Sequence, residues 1–163
     1  MNFKGTGSKS ISLLPSGSTD FLKGLAIKFF GLILLALAVL GTIALVSYDA
    51  ADPNFNHATD AAANNWLGAI GAHTADLLLQ TVGLGAIGLI LGLIAWAWRI
   101  GTRQGLKWGW IHVALMPFAI SFLSATLSAF PVPENWPLNA SFGGIVGEVI
   151  YNNLMVMFQR VGL

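Results

Sequence analysis

Three long stretches of this sequence contain no Asp, Glu, Lys or Arg: Phe29 to Val46, Leu77 to Trp98, and Trp108 to Phe130. A helix needs about 20 apolar residues to cross roughly 30 Å of hydrocarbon, so each stretch is of spanning length. The runs are unbroken rather than alternating, which argues against the strands of a membrane barrel. A fourth run, Phe142 to Phe158, is weaker because it carries Glu148, Asn152 and Asn153. Composition agrees. Only 9% of the residues are charged and the mean hydropathy is +0.72, whereas a soluble domain carries about 25% charged residues. Such a chain cannot cover a soluble surface, and it is too apolar for disorder. The reading is an all-α membrane protein, a four-transmembrane-helix bundle with helices at about 29–47, 77–98, 108–130 and 142–158.

The first run is longer than the core of a cleaved signal peptide, which is about 7–15 residues, and it lies well inside the chain. It is expected to remain as an anchor. The second poses a length problem. Counted back from Trp98 at 1.5 Å per residue, Asp76 falls about 33 Å away, at the far interface. Trp66 to Asp76 is therefore expected outside the hydrocarbon, as a projecting extension or an interfacial helix.

Orientation follows from the basic residues. Lys4, Lys9, Lys23 and Lys28 precede the first helix, Arg99, Arg103 and Lys107 fill the loop at 99–107, and Arg160 follows the last helix. The other loops, 48–76 and 131–141, hold Asp49, Asp52, Asp60, Asp76 and Glu134 and no Lys or Arg. The positive-inside rule then places both termini in the cytoplasm and requires an even number of crossings. Residues 1–24 read as a flexible cytoplasmic segment and 25–160 as the membrane domain. The 131–141 loop, with three prolines around Glu134 and Trp136, is expected to be short and stiff.

Chemical motifs are few. Gly83-Leu-Gly85-Ala-Ile-Gly88 matches the dinucleotide fingerprint by letter. That fingerprint needs a strand before it and an acid about 20 residues on, and this one lies inside an apolar run. Close helix packing explains it better, and Gly88-x-x-x-Gly92 is the same device. His57/Asp60 and His73/Asp76 are paired at the same spacing, but nothing joins them into a metal site, so capping or loop hydrogen bonds are expected. Asn139-Ala-Ser141 fits a glycosylation sequon of a kind common by chance. There is no cysteine, no phosphate loop and no nucleophile elbow. No catalytic, cofactor-binding or metal residues are expected, and no cofactor.

Glu148 is the sharpest polar residue. With Ser141, Gly144, Asn152, Met155 and Gln159 it recurs at spacings of three and four, one small and polar stripe along a helix. A helix–helix or subunit contact is the favoured reading. The alternative is a small transporter or channel, or a structural membrane subunit of a larger complex, using Glu148 and Asn152.

Together these residues resemble a known family. Ser47-Tyr-Asp-Ala-Ala-Asp-Pro-Asn-Phe-Asn56 follows the first helix. Trp66-Leu-Gly, Gly71-Ala and Ala75-Asp76-Leu lead into the second, and Gly143-Gly-Ile-Val-Gly147 opens the last. The pattern is similar to the N-terminal four-helix membrane domain of FtsK/SpoIIIE-type bacterial DNA translocases, over roughly residues 25–160. The resemblance implies an inner-membrane anchor at the division septum that contacts septal cell-division proteins. In that family a linker and a hexameric ATP-driven DNA motor follow. This chain stops at Leu163, so ATP binding and DNA binding are carried over to no residue here. The resemblance points to Asp52, Pro53, Ala75, Asp76, Gly143, Gly144 and Gly147 as structural or interaction residues. Gly88, Gly92, Glu148 and Asn152 join them from the packing and polarity arguments. The expected partners are the lipid bilayer, septal proteins and further copies of the chain through glycine-rich faces.

Overall fold

The computed structural model describes residues 18–54, 62–102, 109–138 and 140–161. Five helices and no strand occur among them: α1 (Ser18–Val46), α2 (Gly68–Val82), α3 (Gly85–Gly101), α4 (Gly109–Leu127) and α5 (Gly144–Val161). His57, Asp60, Arg103, Lys107 and Asn139 lie outside the described residues, as does the segment before Ser18.

α1 starts eleven residues before the apolar run at Phe29, so Ser18–Gly24 is helical rather than part of a flexible segment. Charge ends a hydrocarbon stretch but not a helix. Lys23 and Lys28 keep good helix propensity while their ammonium groups reach water. α4 runs unbroken through Pro117.

The larger correction concerns the helix expected at 77–98. The chain turns by 111° between α2 and α3. Leu77 to Val82 therefore belong to α2, which also carries Asp76, and only α3 continues the run. From Gly68 onward the expected extension is therefore a helix set at an angle to α3 rather than its straight continuation.

α1 packs on α3, α3 on α4, and α4 on α5, so the main contacts make a row. α2 lies across one end of this row and touches all four of the other helices. α1 and α4 are each long and apolar enough to cross a bilayer, and α2 with α3 meets the same test as one bent pair. α5 is not among them, because Glu148, Asn152, Asn153, Gln159 and Arg160 lower its hydropathy.

The core is thin and made largely of small residues. Leu34, Ala97 and Ile100 form a buried cluster between α1 and α3, covered by Leu93 and Trp96. Ala38, Ala44, Ala75 and Ala86 are also buried. Small side chains let helix backbones approach, which drives association where lipid tails are as apolar as leucine. Large apolar residues point outward instead, among them Phe29, Leu32 and Leu37 of α1, Phe118 and Phe122 of α4, and Val149 and Met157 of α5.

Candidate functional site

The polar side chains that are buried gather at the end of the row that α2 covers. Asp52 is only 2% exposed. Its two carboxylate oxygens accept the backbone N–H groups of Asn64 (2.7 Å) and Asn65 (2.9 Å). Asn65 in turn donates from Nδ2 to the Ala44 carbonyl (2.9 Å) and the Ser47 carbonyl (3.1 Å). These are carbonyls of the last turn of α1 and the residue beyond it, which no helix N–H can reach. Trp66 N–H donates to Ser47 Oγ at 3.1 Å. The loop therefore returns onto the helix it left, and the carboxylate of Asp52 holds the return. Pro53, half-buried beside Asp52, follows it in the chain.

Asp49 makes a second clamp, taking Ala51 N–H (2.9 Å) and Asn64 Nδ2 (3.1 Å). The backbone hydrogen bond from Ala51, then the one from Asn64, holds its carboxyl below the usual range.

Asp76, also 2% exposed, faces Tyr48, the second residue beyond α1. Its Oδ1 accepts Gln80 Nε2 at 2.8 Å and the Tyr48 hydroxyl at 3.4 Å. Burial, then the neighbouring Asp76 charge and the hydrogen bond to it, push the Tyr48 phenol up to about 12. Tyr48 thus stays protonated and acts as a donor. Ala75, wholly buried, lets α2 sit against its neighbours here.

The glycines meet at a second place, the bend between α2 and α3. Gly83 has φ +59° and Gly144 φ +65°, a region that side-chain-bearing residues rarely adopt. The bend leaves backbone groups without helical partners, and both are satisfied by other segments. Ser124 Oγ donates to the Val82 carbonyl at 2.9 Å, and Leu84 N–H donates to the Phe142 carbonyl at 2.8 Å. Buried backbone polar groups are costly unless they find such partners. Space is short here. A Cβ on Gly143 would fall 2.7 Å from the Ser124 carbonyl carbon, and one on Gly147 would fall 2.6 Å from Ser128 Oγ. Ser128 Oγ bonds both the Ser124 carbonyl (3.1 Å) and Ser141 Oγ (2.8 Å). Gly83, Gly143, Gly144 and Gly147 are therefore one junction, in which backbone lies on backbone.

Gly88 and Gly92 face α4 differently. Cβ atoms there would meet side chains, Leu123 Cδ2 at 2.9 Å and Met116 Cε at 2.6 Å. Gly83, Gly143, Gly144 and Gly147 are thus occupied from within the chain, while Gly88 and Gly92 stay half-buried along an open groove between α3 and α4.

Glu148 and Asn152 are exposed. The polar stripe of α5 is buried only at its start, at Gly144, and makes no helix–helix seam among the described residues. Glu148 lines an open cleft of about 480 Å³ with Tyr48, Asn54, Asp76 and Gln80, under the loop residues Pro137 and Leu138. That loop is stapled by Trp136, whose Nε1 donates to the Ala140 carbonyl (3.0 Å) and whose ring meets Phe142 edge-on at 4.7 Å. Glu148 and Asp76 are thus brought to one cleft, a pairing that sequence reasoning missed. His73 lies within α2 and turns its Nδ1 to the Ala69 carbonyl one turn back at 2.7 Å, a contact inside the helix rather than the capping or loop hydrogen bond expected for it. No group of three His, Asp or Glu converges among the described residues.

The family whose sequence model matches is the 4TM region of DNA translocase FtsK/SpoIIIE, over residues 24–163. The chain is 37% identical over 156 residues to the DNA translocase FtsK of Bradyrhizobium diazoefficiens, covering 92% of this chain and 18% of that protein. Identity to the DNA translocase FtsK of Agrobacterium fabrum is 38% over 122 residues, covering 74% of this chain and 14% of that protein. For the DNA translocase FtsK of Caulobacter vibrioides it is 34% over 128 residues, covering 74% and 15%. The chain thus spans less than a fifth of the length of each of these three curated relatives. No solved structure matches it.

Proposed function

The chain belongs to the 4TM region of the DNA translocase FtsK/SpoIIIE family, and from that premise we propose that it is a non-catalytic membrane anchor. It holds a DNA translocase in the bacterial inner membrane at the division septum and contacts division proteins there. α1, α3, α4 and α5 cross the bilayer, α2 lies across the outer end, and both termini are cytoplasmic. ATP hydrolysis and DNA binding are assigned to the motor of the family and to no residue of this chain.

The observation that carries this reading is the division of the surface. Large apolar side chains face outward along α1 and α4, and the hydrogen-bonded network collects at one end, where the loops carry acids and no bases. The bilayer solvates the first, and water and partner proteins meet the second. Four crossings follow from the charge pattern, with α5 the most polar of them. The open α5 face, with Glu148 and Asn152, is the surface assigned to self-association.

A fluorescent fusion to residues 1–163, expressed in dividing cells of a related bacterium, tests the role. Midcell bands that resist alkaline extraction from membranes are expected. Uniform membrane fluorescence would contradict the septal assignment, and alkali-soluble protein would contradict anchoring.

A further inference from the structure

We infer that the groove between α1 and α3 binds one anionic phospholipid of the cytoplasmic leaflet. The groove has a volume of about 350 Å³. One end holds Lys28 and Thr102, the other Leu35 and Ile94, and no carboxylate lines it among the described residues. α1 climbs away from Lys28 while antiparallel α3 descends to Thr102, so the polar residues of both helices share one end. From Lys28 to Leu35 the groove rises about 10 Å at 1.5 Å per residue. Its polarity therefore runs as a phospholipid's does, from a charged head to an acyl chain, and its single charge is complementary to a phosphate.

Two features make this a groove rather than a packed seam. Gly31 brings α1 onto Ile100, where a Cβ would come within 2.9 Å of Cγ2, so the helices touch along the floor. Gly101 faces open space, with nothing within 4 Å of a built Cβ, so the seam widens towards the head end. Trp98, 70% exposed, stands at the rim where an aromatic side chain meets the headgroup layer. On the same helix Arg99 keeps a buried Nε with no hydrogen-bond partner, a further cationic group within a turn of Thr102. Basic pockets between membrane helices on the cytoplasmic side are a recurrent headgroup site. The leaflet rests on the orientation proposed above.

The test is native mass spectrometry of the purified chain released from micelles containing equal phosphatidylglycerol and phosphatidylcholine. Wild type is expected to retain phosphatidylglycerol about fivefold over phosphatidylcholine, the worth of one Lys beside an anionic headgroup. K28Q should bring the ratio to parity. G101L, whose Cβ meets nothing within 4 Å and whose longer side chain takes up groove volume, should remove bound lipid of both kinds while helicity by circular dichroism is kept. Equal retention by wild type, or an unchanged ratio in K28Q, would overturn the proposal. So would a G101L protein that loses a dimer rather than a lipid, since the groove would then seat a second copy. Thiol labelling of K28C from each side of sealed vesicles reports orientation separately. Labelling from outside would overturn the leaflet and the topology but not a measured lipid preference.

Discussion

The α1–α3 contact and the junction at the α2–α3 bend are both built around glycine, yet they are different kinds of contact. Along α1–α3, side chains of Leu34, Ala97 and Ile100 fill the space, and a Cβ on Gly41 would lie an ordinary 3.7 Å from Ile90. At the bend, the backbones of Gly83, Gly143 and Gly144 and the Ser124 carbonyl lie directly on one another. The first contact is made by side chains, tight at Gly31 against Ile100 and with room to adjust at Gly41. The second is a register, fixed by hydrogen bonds to backbone atoms that cannot move without breaking a helix.

Gly143→Ala should show the largest effect. Its methyl meets the Ser124 carbonyl group, and overpacking against rigid atoms costs about 3 kcal/mol. A lowered midpoint of thermal unfolding in detergent is expected, and an unchanged midpoint would erase the distinction between the two contacts. Asp52→Ala comes next. It orphans the Asn64 and Asn65 N–H groups, and a loss of about 2 kcal/mol is expected for hydrogen bonds to a charged acceptor. Limited proteolysis between Ser47 and Asn65 should rise in step, with Asp52→Asn intermediate.

Gly41→Ala should go the other way. It gains helix propensity worth up to about 1 kcal/mol and meets only a side chain at normal distance. A midpoint at or above wild type is the expected result. The smallest effect is spectroscopic. Tyr48, its phenol raised to about 12 from 10.0, stays protonated in the fold after it would ionise in the unfolded chain. Its contribution is complete below pH 10 and is lost as pH rises towards 12. Absorbance titration should show one phenol ionising near pH 12, absent in Tyr48→Phe.

The apolar runs made α1 and α4 legible, because bilayer thickness translates directly into residue count. The same arithmetic set Asp76 apart from the spanning stretch without showing the 111° turn between α2 and α3. Gly83-Leu-Gly85 reads alike as packing or as a break. Partners remote in sequence decide it, the Phe142 carbonyl and Ser124 Oγ. Asp52 was legible through the Asp-Pro phrase. Asn65 was not, since one asparagine in a polar loop has no signature until Ala44 and Ser47 are seen to need a donor. The stripe through Glu148 has correct helical spacing, but periodicity says which residues share a face and not what that face meets.

The measurement that bears most directly on the anchor is single-cysteine accessibility, free of background because the chain has no cysteine. Cysteines at Gly24, Thr74, Gly101 and Glu134 would be labelled with a membrane-impermeant thiol reagent in intact cells. Four crossings with α2 across the outer end predict labelling at Thr74 and Glu134, and at Gly24 and Gly101 only after permeabilisation. Thr74 and Gly101 reacting from the same side would contradict the crossing by α3 and, with it, the arrangement of the anchor.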